Sequence, residues 1–279
     1  MARADANGIQ LEYQTFGTQG PALVLIMGFG AQMLGWDERF CEQLSRRGCR
    51  VIRFDNRDVG LSSRVSAGAP GELAYSLDDM AGDVAGLLDA LGIAAAHIVG
   101  MSLGGIIAQL VAVHHPDKVL SLCSIASSCG PDVGRARPGM FRAMLGGQAA
   151  TRDEAVAHAV VTAELFAGPA FPVDADAVRE RAARLWDRDH DDQARSRQWE
   201  ALRQAGDRTG ALGAVRSPAL VIHGADDPLV DVSGGQATAA AIPGARLLVI
   251  DGMGHELPQG AWETVIDAIA TNAGIRAAP

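Results

Sequence analysis

The chain reads as an α/β fold: a mostly parallel central sheet flanked by helices, with a helical cap inserted after a strand at 119–126. Three observations carry this reading. Short apolar runs alternate with amphipathic stretches through residues 8–126 and again from 219 onward. The run 96–99 leads into Gly100-Met-Ser102-Leu-Gly104 and gives way at once to a second apolar stretch, 106–113. Between 127 and 214 the strand pattern disappears and charged, helix-spaced segments replace it. The expected division is a core of residues 1–126 with 215–279, and a helical cap of residues 127–214.

Each element follows from local pattern. Residues 8–16 alternate enough for an antiparallel strand, and Pro21 leads into a buried strand at 22–27. Trp36, Phe40 and Leu44 fall at helical spacing within 36–47, and 49–54 is a third strand. Residues 77–91 place Leu77, Met80, Val84, Leu87, Leu88 and Leu91 on one helical face, with Ser76 or Asp78 as the cap. The strand 96–99, the helix 104–115 and the strand 119–126 complete the first half. Cap helices are expected at 140–145, 153–166, 174–189 and 193–205. The alternation then resumes with a strand at 219–223, a helix near 234–241, a strand at 245–250 and a last helix at 262–272. Strands and helices in this rhythm make a sheet covered on both faces.

Bulk properties narrow the function. The formal net charge of −9, with no basic cluster, argues against a nucleic-acid partner. Residues 98–113, the nearest approach to a membrane span, are interrupted by Ser102, Gln109 and three glycines. Residues 1–8 are polar and unlike a signal peptide, which points to the cytoplasm. Cys41, Cys49, Cys123 and Cys129 show neither a C-x-x-C pair nor ligand spacing with histidine, as expected of free core thiols. Lys118 is the single lysine among 24 basic residues, a bias that suits a GC-rich bacterial genome. An apolar cap and a dimer patch look alike in sequence, so a homo-oligomer stays open.

The chemistry centres on Ser102. Gly-x-Ser-x-Gly between an apolar strand and a helix is a nucleophile elbow, a sharp turn that lifts a serine hydroxyl above the sheet edge. A serine hydroxyl needs a base, and the base an orienting acid, in chain order Ser, Asp or Glu, His. His255 lies in a Gly-rich loop after the strand 245–250 and is the expected base. The acid should follow the strand 219–223, where the text is His223-Gly-Ala-Asp-Asp-Pro228. Asp227 is the choice and Asp226 its rival; an acid moved to the preceding core strand would be Asp132. His223 reads as structural. The two oxyanion donors are expected from the backbone of Leu103 and of Phe29, in the loop after the strand 22–27. Asp55 and Arg57, in the polar loop 53–62, read as an ion-paired brace. Phe141, Trp186 and Trp199 of the cap, with Phe29, are the candidate substrate-binding side chains.

The segments 25–36, 51–62, 99–105 and 252–258 together resemble the α/β-hydrolase superfamily. Within it they are similar to the bacterial serine esterase branch of the anthracycline (aclacinomycin) methylesterases. The resemblance covers residues 8–126 and 215–275 and leaves the cap unmatched. It implies Ser102 as nucleophile, Asp227 and His255 as its relay, Phe29 and Leu103 as oxyanion donors, and neither cofactor nor metal. Met27 departs from it, since most relatives carry histidine there. The expected activity is hydrolysis of a small-molecule carboxylic ester with a substantial hydrophobic part through an acyl-enzyme. The alternatives are a cofactor-free haloperoxidase or perhydrolase using the same residues, and a non-catalytic ligand-binding member of the fold.

Overall fold

The computed structural model describes residues 1–66, 73–146 and 149–275, with the side chains of 192–194 left aside. Eight strands form one sheet in the order β1-β2-β4-β3-β5-β6-β7-β8. These are β1 (Ala2–Ala6), β2 (Ile9–Phe16), β3 (Ala22–Ile26), β4 (Arg50–Phe54), β5 (Ala96–Met101), β6 (Val119–Ile125), β7 (Ala219–Gly224) and β8 (Arg246–Ile250). The β1–β2 and β2–β4 pairs are antiparallel and every other pair is parallel. The carboxyl ends of β3, β5, β6, β7 and β8 therefore share one edge, where ligands of open α/β sheets bind.

Two hydrophobic layers sandwich the sheet. On one face α2 (Leu77–Ala90) and α3 (Leu103–His114) pack Met80, Val84, Leu88, Ile107 and Val111 against Val24, Ile52 and Ile98. On the other, α1 (Glu38–Ser45) and the last helix, Trp262–Asn272, pack Phe40, Leu44, Val265 and Ile269 against Leu23, Leu25, Val99 and Ile222. All five residues of β3 are buried, which is why that strand shows an unbroken apolar run rather than alternation. Ser76 caps α2 with a reciprocal Ser76–Asp79 capping box.

Sequence pattern misses β1. Ala-Arg-Ala-Asp-Ala is poor in strand formers, but it pairs residue for residue with β2 from Ala2↔Tyr13 to Ala6↔Ile9. The reversal runs through Asn7 (φ 49°) and Gly8 (φ 79°), the left-handed pair that two-residue hairpins favour. Helix α1 also starts two residues inside the expected segment. Asp37 caps it by accepting from Arg39 N–H, leaving Trp36 ahead of the helix and stacked on Phe40 at 5.6 Å.

Between β6 and β7 lie α4 (Met140–Leu145), α5 (Arg152–Phe166), α6 (Ala175–Arg188), α7 (Asp192–Arg203) and α8 (Thr209–Leu212), with no strand among the described residues. The insertion adds Ala201 and Leu212 to the core layer of α2 and α3, and docks as well through charged and amide groups. Arg188 pairs with buried Asp55 at 2.7 Å and donates to Gln32 Oε1, while Gln32 Nε2 donates to the carbonyls of Leu185 and Asp189. Arg197 grips Asp58 with two bonds of 2.8 and 2.9 Å. Asp55 also accepts from Met33 N–H and Leu61 N–H, so the 53–62 loop is a brace. No helix among the described residues is long and apolar enough to cross a membrane.

Candidate active site

Ser102 sits between β5 and α3 with φ 56° and ψ −121°, a strained conformation for a residue with a side chain. Such backbone strain costs about 1–3 kcal/mol and persists only where its surroundings enforce it. Here Ser102 N–H is held by the carbonyl of Ile125 at 2.8 Å. A Cβ on Gly100 would lie 1.9 Å from Gly104 O, and one on Gly104 would lie 2.2 Å from Ile26 O. Both glycines of the motif are therefore required by close backbone approach, and the turn places the hydroxyl at the sheet edge.

The structure brings the three expected side chains together from distant parts of the chain. His255 Nε2 lies 3.0 Å from Ser102 Oγ, and His255 Nδ1 lies 2.8 Å from Asp227 Oδ2. Burial by itself raises the Asp227 carboxyl. The facing His255, the His223 ring and the Val230 N–H outweigh it and hold the group well below the usual carboxylate range. An ionised carboxylate only accepts, so Nδ1 of His255 carries the proton and Nε2 is left to accept from the serine hydroxyl. The other carboxylate oxygen, Oδ1, accepts from the N–H groups of Leu229 and Val230 at 2.8 Å each. His223, fully buried, donates from Nε2 to Val230 O at 2.7 Å and faces Asp227 Oδ2 at 3.5 Å.

The His255 loop is anchored by the insertion. Its backbone N–H donates to Phe166 O at 2.8 Å, and the Phe166 ring stands edge-on to the imidazole at 5.8 Å. The two expected oxyanion donors also flank the serine. The Leu103 N–H opens α3, where first-turn donors have no helical partner and the helix dipole favours negative charge. Gly28, one residue before Phe29, lies close enough that its Cβ would be 3.2 Å from Ser102 Cβ. Neither N–H donates to another described residue. Met27 contributes its carbonyl, which accepts from Asn56 Nδ2 at 3.0 Å.

The remaining candidates are placed unevenly. Phe29, Trp199 and Phe141 form a row of rings, with centroids 6.1 and then 5.9 Å apart, leading from the loop beside Ser102 into the insertion. Trp186 stacks on His190 at 4.3 Å and makes no ring contact with that row among the described residues. Asp226 is partly exposed; its N–H donates to Met253 O. Asp132 is exposed and pairs with Arg135 at 3.7 Å. The four cysteines are free and buried, and burial pushes the Cys41 thiol to about 12 and the Cys49 thiol to about 11, so neither is a rival nucleophile. A separate cleft of about 800 Å³, lined by Glu38, Arg39, Phe171, Arg184 and Trp262, contains none of Ser102, Asp227 and His255. Among the described residues no group of three or more His, Cys, Asp or Glu side chains is arranged to hold a metal ion.

Sequence pattern alone gives no sign of two of these supports. Phe166 acts through its carbonyl, which every residue has, and Gln198 of α7, which bonds Gly30 N–H at 2.9 Å, looks like any amide on a polar helix.

Comparison with known proteins completes the description. The model of the alpha/beta hydrolase fold family matches residues 21–258. Rhodomycin D methylesterase DnrP of Streptomyces peucetius is 32% identical over 273 residues, covering 90% of each chain. A putative carbamate hydrolase, RutD, of Variovorax paradoxus is 31% identical over 90% of this chain and 88% of its own. Among solved structures, the enol-lactonase from Burkholderia xenovorans LB400 superposes with a TM-score of 0.75 at 26% identity, over 96% of this chain and 100% of its own.

Proposed function

The chain belongs to the α/β-hydrolase fold family, and from that membership we propose that it is a serine hydrolase of carboxylic esters. The observation that carries the reading is the relay from Ser102 Oγ through His255 to Asp227, at 3.0 and 2.8 Å, beside two backbone N–H groups with no other described partner. In this reading Ser102 attacks the ester carbonyl as His255 Nε2 takes its proton. Asp227 stabilises the resulting imidazolium, and the N–H groups of Phe29 and Leu103 hold the developing oxyanion. His255 then protonates the leaving alcohol, and water repeats the cycle to free the acid. The relatives that are methylesterases by name support an ester over an amide. The row Phe29, Trp199 and Phe141 supports a substrate with a hydrophobic part, bound under a cap of residues 127–214 that sits on a core of 1–126 and 215–279. Four free, buried cysteines support a reducing compartment, the cytoplasm.

The test is a panel of p-nitrophenyl esters of graded chain length, run on the wild-type protein and Ser102→Ala. Hydrolysis that grows with acyl length and falls by roughly 10⁶ in the variant is expected. Retention of more than about a hundredth of the activity in pure, folded Ser102→Ala protein removes the serine from this role.

A further inference from the structure

One helix of the insertion grips the loop that carries an oxyanion donor. Three residues of α7 reach it. Gln198, fully buried, accepts from Gly30 N–H through Oε1 and donates from Nε2 to Arg57 O, both at 2.9 Å. The Trp199 ring meets the Phe29 ring at 6.1 Å, and the Arg195 guanidinium lies over that ring, 5.6 Å from its centre. A buried amide is costly unless both ends find partners. Gln198 finds them on the backbones of two different core loops, 168 and 141 residues away in the chain.

The geometry of the loop shows what the grip does. Residues 28–31 form a turn closed by Ala31 N–H on Gly28 O at 3.2 Å, with Gly30 at φ 61°. The trans peptide between Gly28 and Phe29 points the Phe29 N–H opposite to the Gly28 carbonyl, away from the Ala31 end of the turn. Among the described residues, the next peptide has its N–H fixed by Gln198. Released from that bond, the torsions of Phe29 can change, and the 28–29 peptide turns with them. An oxyanion donor tolerates little of this, because it must lie about 2.7–3.1 Å from the developing charge.

We propose that Gln198 is a positioning residue for the oxyanion hole, so that seating α7 on the core is a condition of the chemistry as well as of substrate choice. The inference rests on the serine-hydrolase reading. Gln198→Met keeps the volume and removes both hydrogen bonds. It should lower kcat by about tenfold to a hundredfold with KM within about threefold, short of the 10²–10³ lost when a donor is deleted outright. Affinity for a trifluoromethyl ketone, which forms a tetrahedral adduct, should fall by the same factor as kcat/KM, while affinity for the product acid stays put. Should Gln198→Met fail to fold, Asp58→Asn loosens α7 through Arg197 without touching the turn and should show the same kcat loss at constant KM. Labelling of the wild-type protein by a fluorophosphonate separates the two levels. No labelling overturns the hydrolase reading and this inference with it. Labelling, with wild-type kcat and ketone affinity in both Gln198→Met and Asp58→Asn, overturns the inference alone.

Discussion

Replacing Asp227 by asparagine changes no volume and one proton, and the structure says which way the new amide will face. Oδ1 of Asp227 accepts two backbone N–H groups, from Leu229 and Val230, at 2.8 Å each. Turning the amide nitrogen toward them would leave two buried donors unmatched, at about 1–3 kcal/mol apiece. Even the lower figure, ~2 kcal/mol in total, favours the oxygen there by about 30 to 1. The amide nitrogen is therefore left facing His255 Nδ1, where the carboxylate stood 2.8 Å away. An N–H facing Nδ1 makes that atom an acceptor, so the imidazole proton moves to Nε2 and points at Ser102. The base then has no lone pair for the serine proton. The expected loss is about 10⁴ in kcat, or ~5 kcal/mol of barrier, the size seen when a triad histidine is held in the wrong tautomer. The assay is p-nitrophenolate release by protein verified as folded, with ¹⁵N shifts of the His255 ring reporting which nitrogen is protonated. Asp226→Asn, whose carboxylate is partly exposed, should lose far less. If Asp227→Asn keeps more than about one per cent of kcat, or if Asp226→Asn is the worse of the two, the relay is assigned one residue off.

Two further outcomes follow from the same geometry. The acid limb of kcat/KM should have the slope of one proton, because Asp227 is held well below the usual carboxylate range, stays ionised and adds no second proton; a two-proton slope would contradict this. The same depressed carboxyl contributes stability that is fully present above its unfolded value of about 3.9 and fades as pH falls below it. Asp227→Asn should consequently lose less Tm than the wild type between about pH 5 and pH 3. In the insertion, Trp199→Ala removes a ring packed on Phe29 and Phe141 and should raise the ratio of long-chain to short-chain ester KM about tenfold (~1.4 kcal/mol), whereas any kcat loss from loosening α7 is common to all esters. Trp186→Ala, whose ring lies on His190, should leave chain-length preference where it was; a shift there would place Trp186 against the substrate.

Much of this was legible in the sequence, for physical reasons that can be named. Strands such as 22–26 announce themselves because a parallel strand is buried on both faces. The elbow is legible because Gly100 and Gly104 have no substitute where the chain passes within 1.9 and 2.2 Å of a would-be Cβ. The expected acid and base, Asp227 and His255, are legible from their loops, at the ends of consecutive strands β7 and β8. What stayed hidden involves backbone partners and long sequence separation. The carbonyl of Phe166 holds His255, and the amide of Gln198 holds Gly30, with no signature in either segment. Strand β1 is hidden by its alanines, although Asn7-Gly8 is itself a hairpin signal. Trp186 and Trp199 are the same residue type in two successive charge-rich helices, and only packing distinguishes a ring on His190 from a ring on Phe29.

The sheet order has a consequence for how activity arrives during synthesis. From β5 outward the strands are laid down in the order in which the ribosome makes them, β6 on β5, β7 on β6, β8 on β7. A domain folds as a unit, and the core on one face of this sheet joins early strands (Leu23, Leu25) to the last-made helix (Val265, Ile269). Ser102, Asp227 and His255 are therefore synthesised in that order, and His255 comes last of the three, to rest with its N–H on the carbonyl of Phe166. A nascent chain carries a serine hydroxyl but no base. On the proposed reading, hydrolytic competence is expected in a single late event, once the chain beyond β8 has been made, rather than growing with chain length.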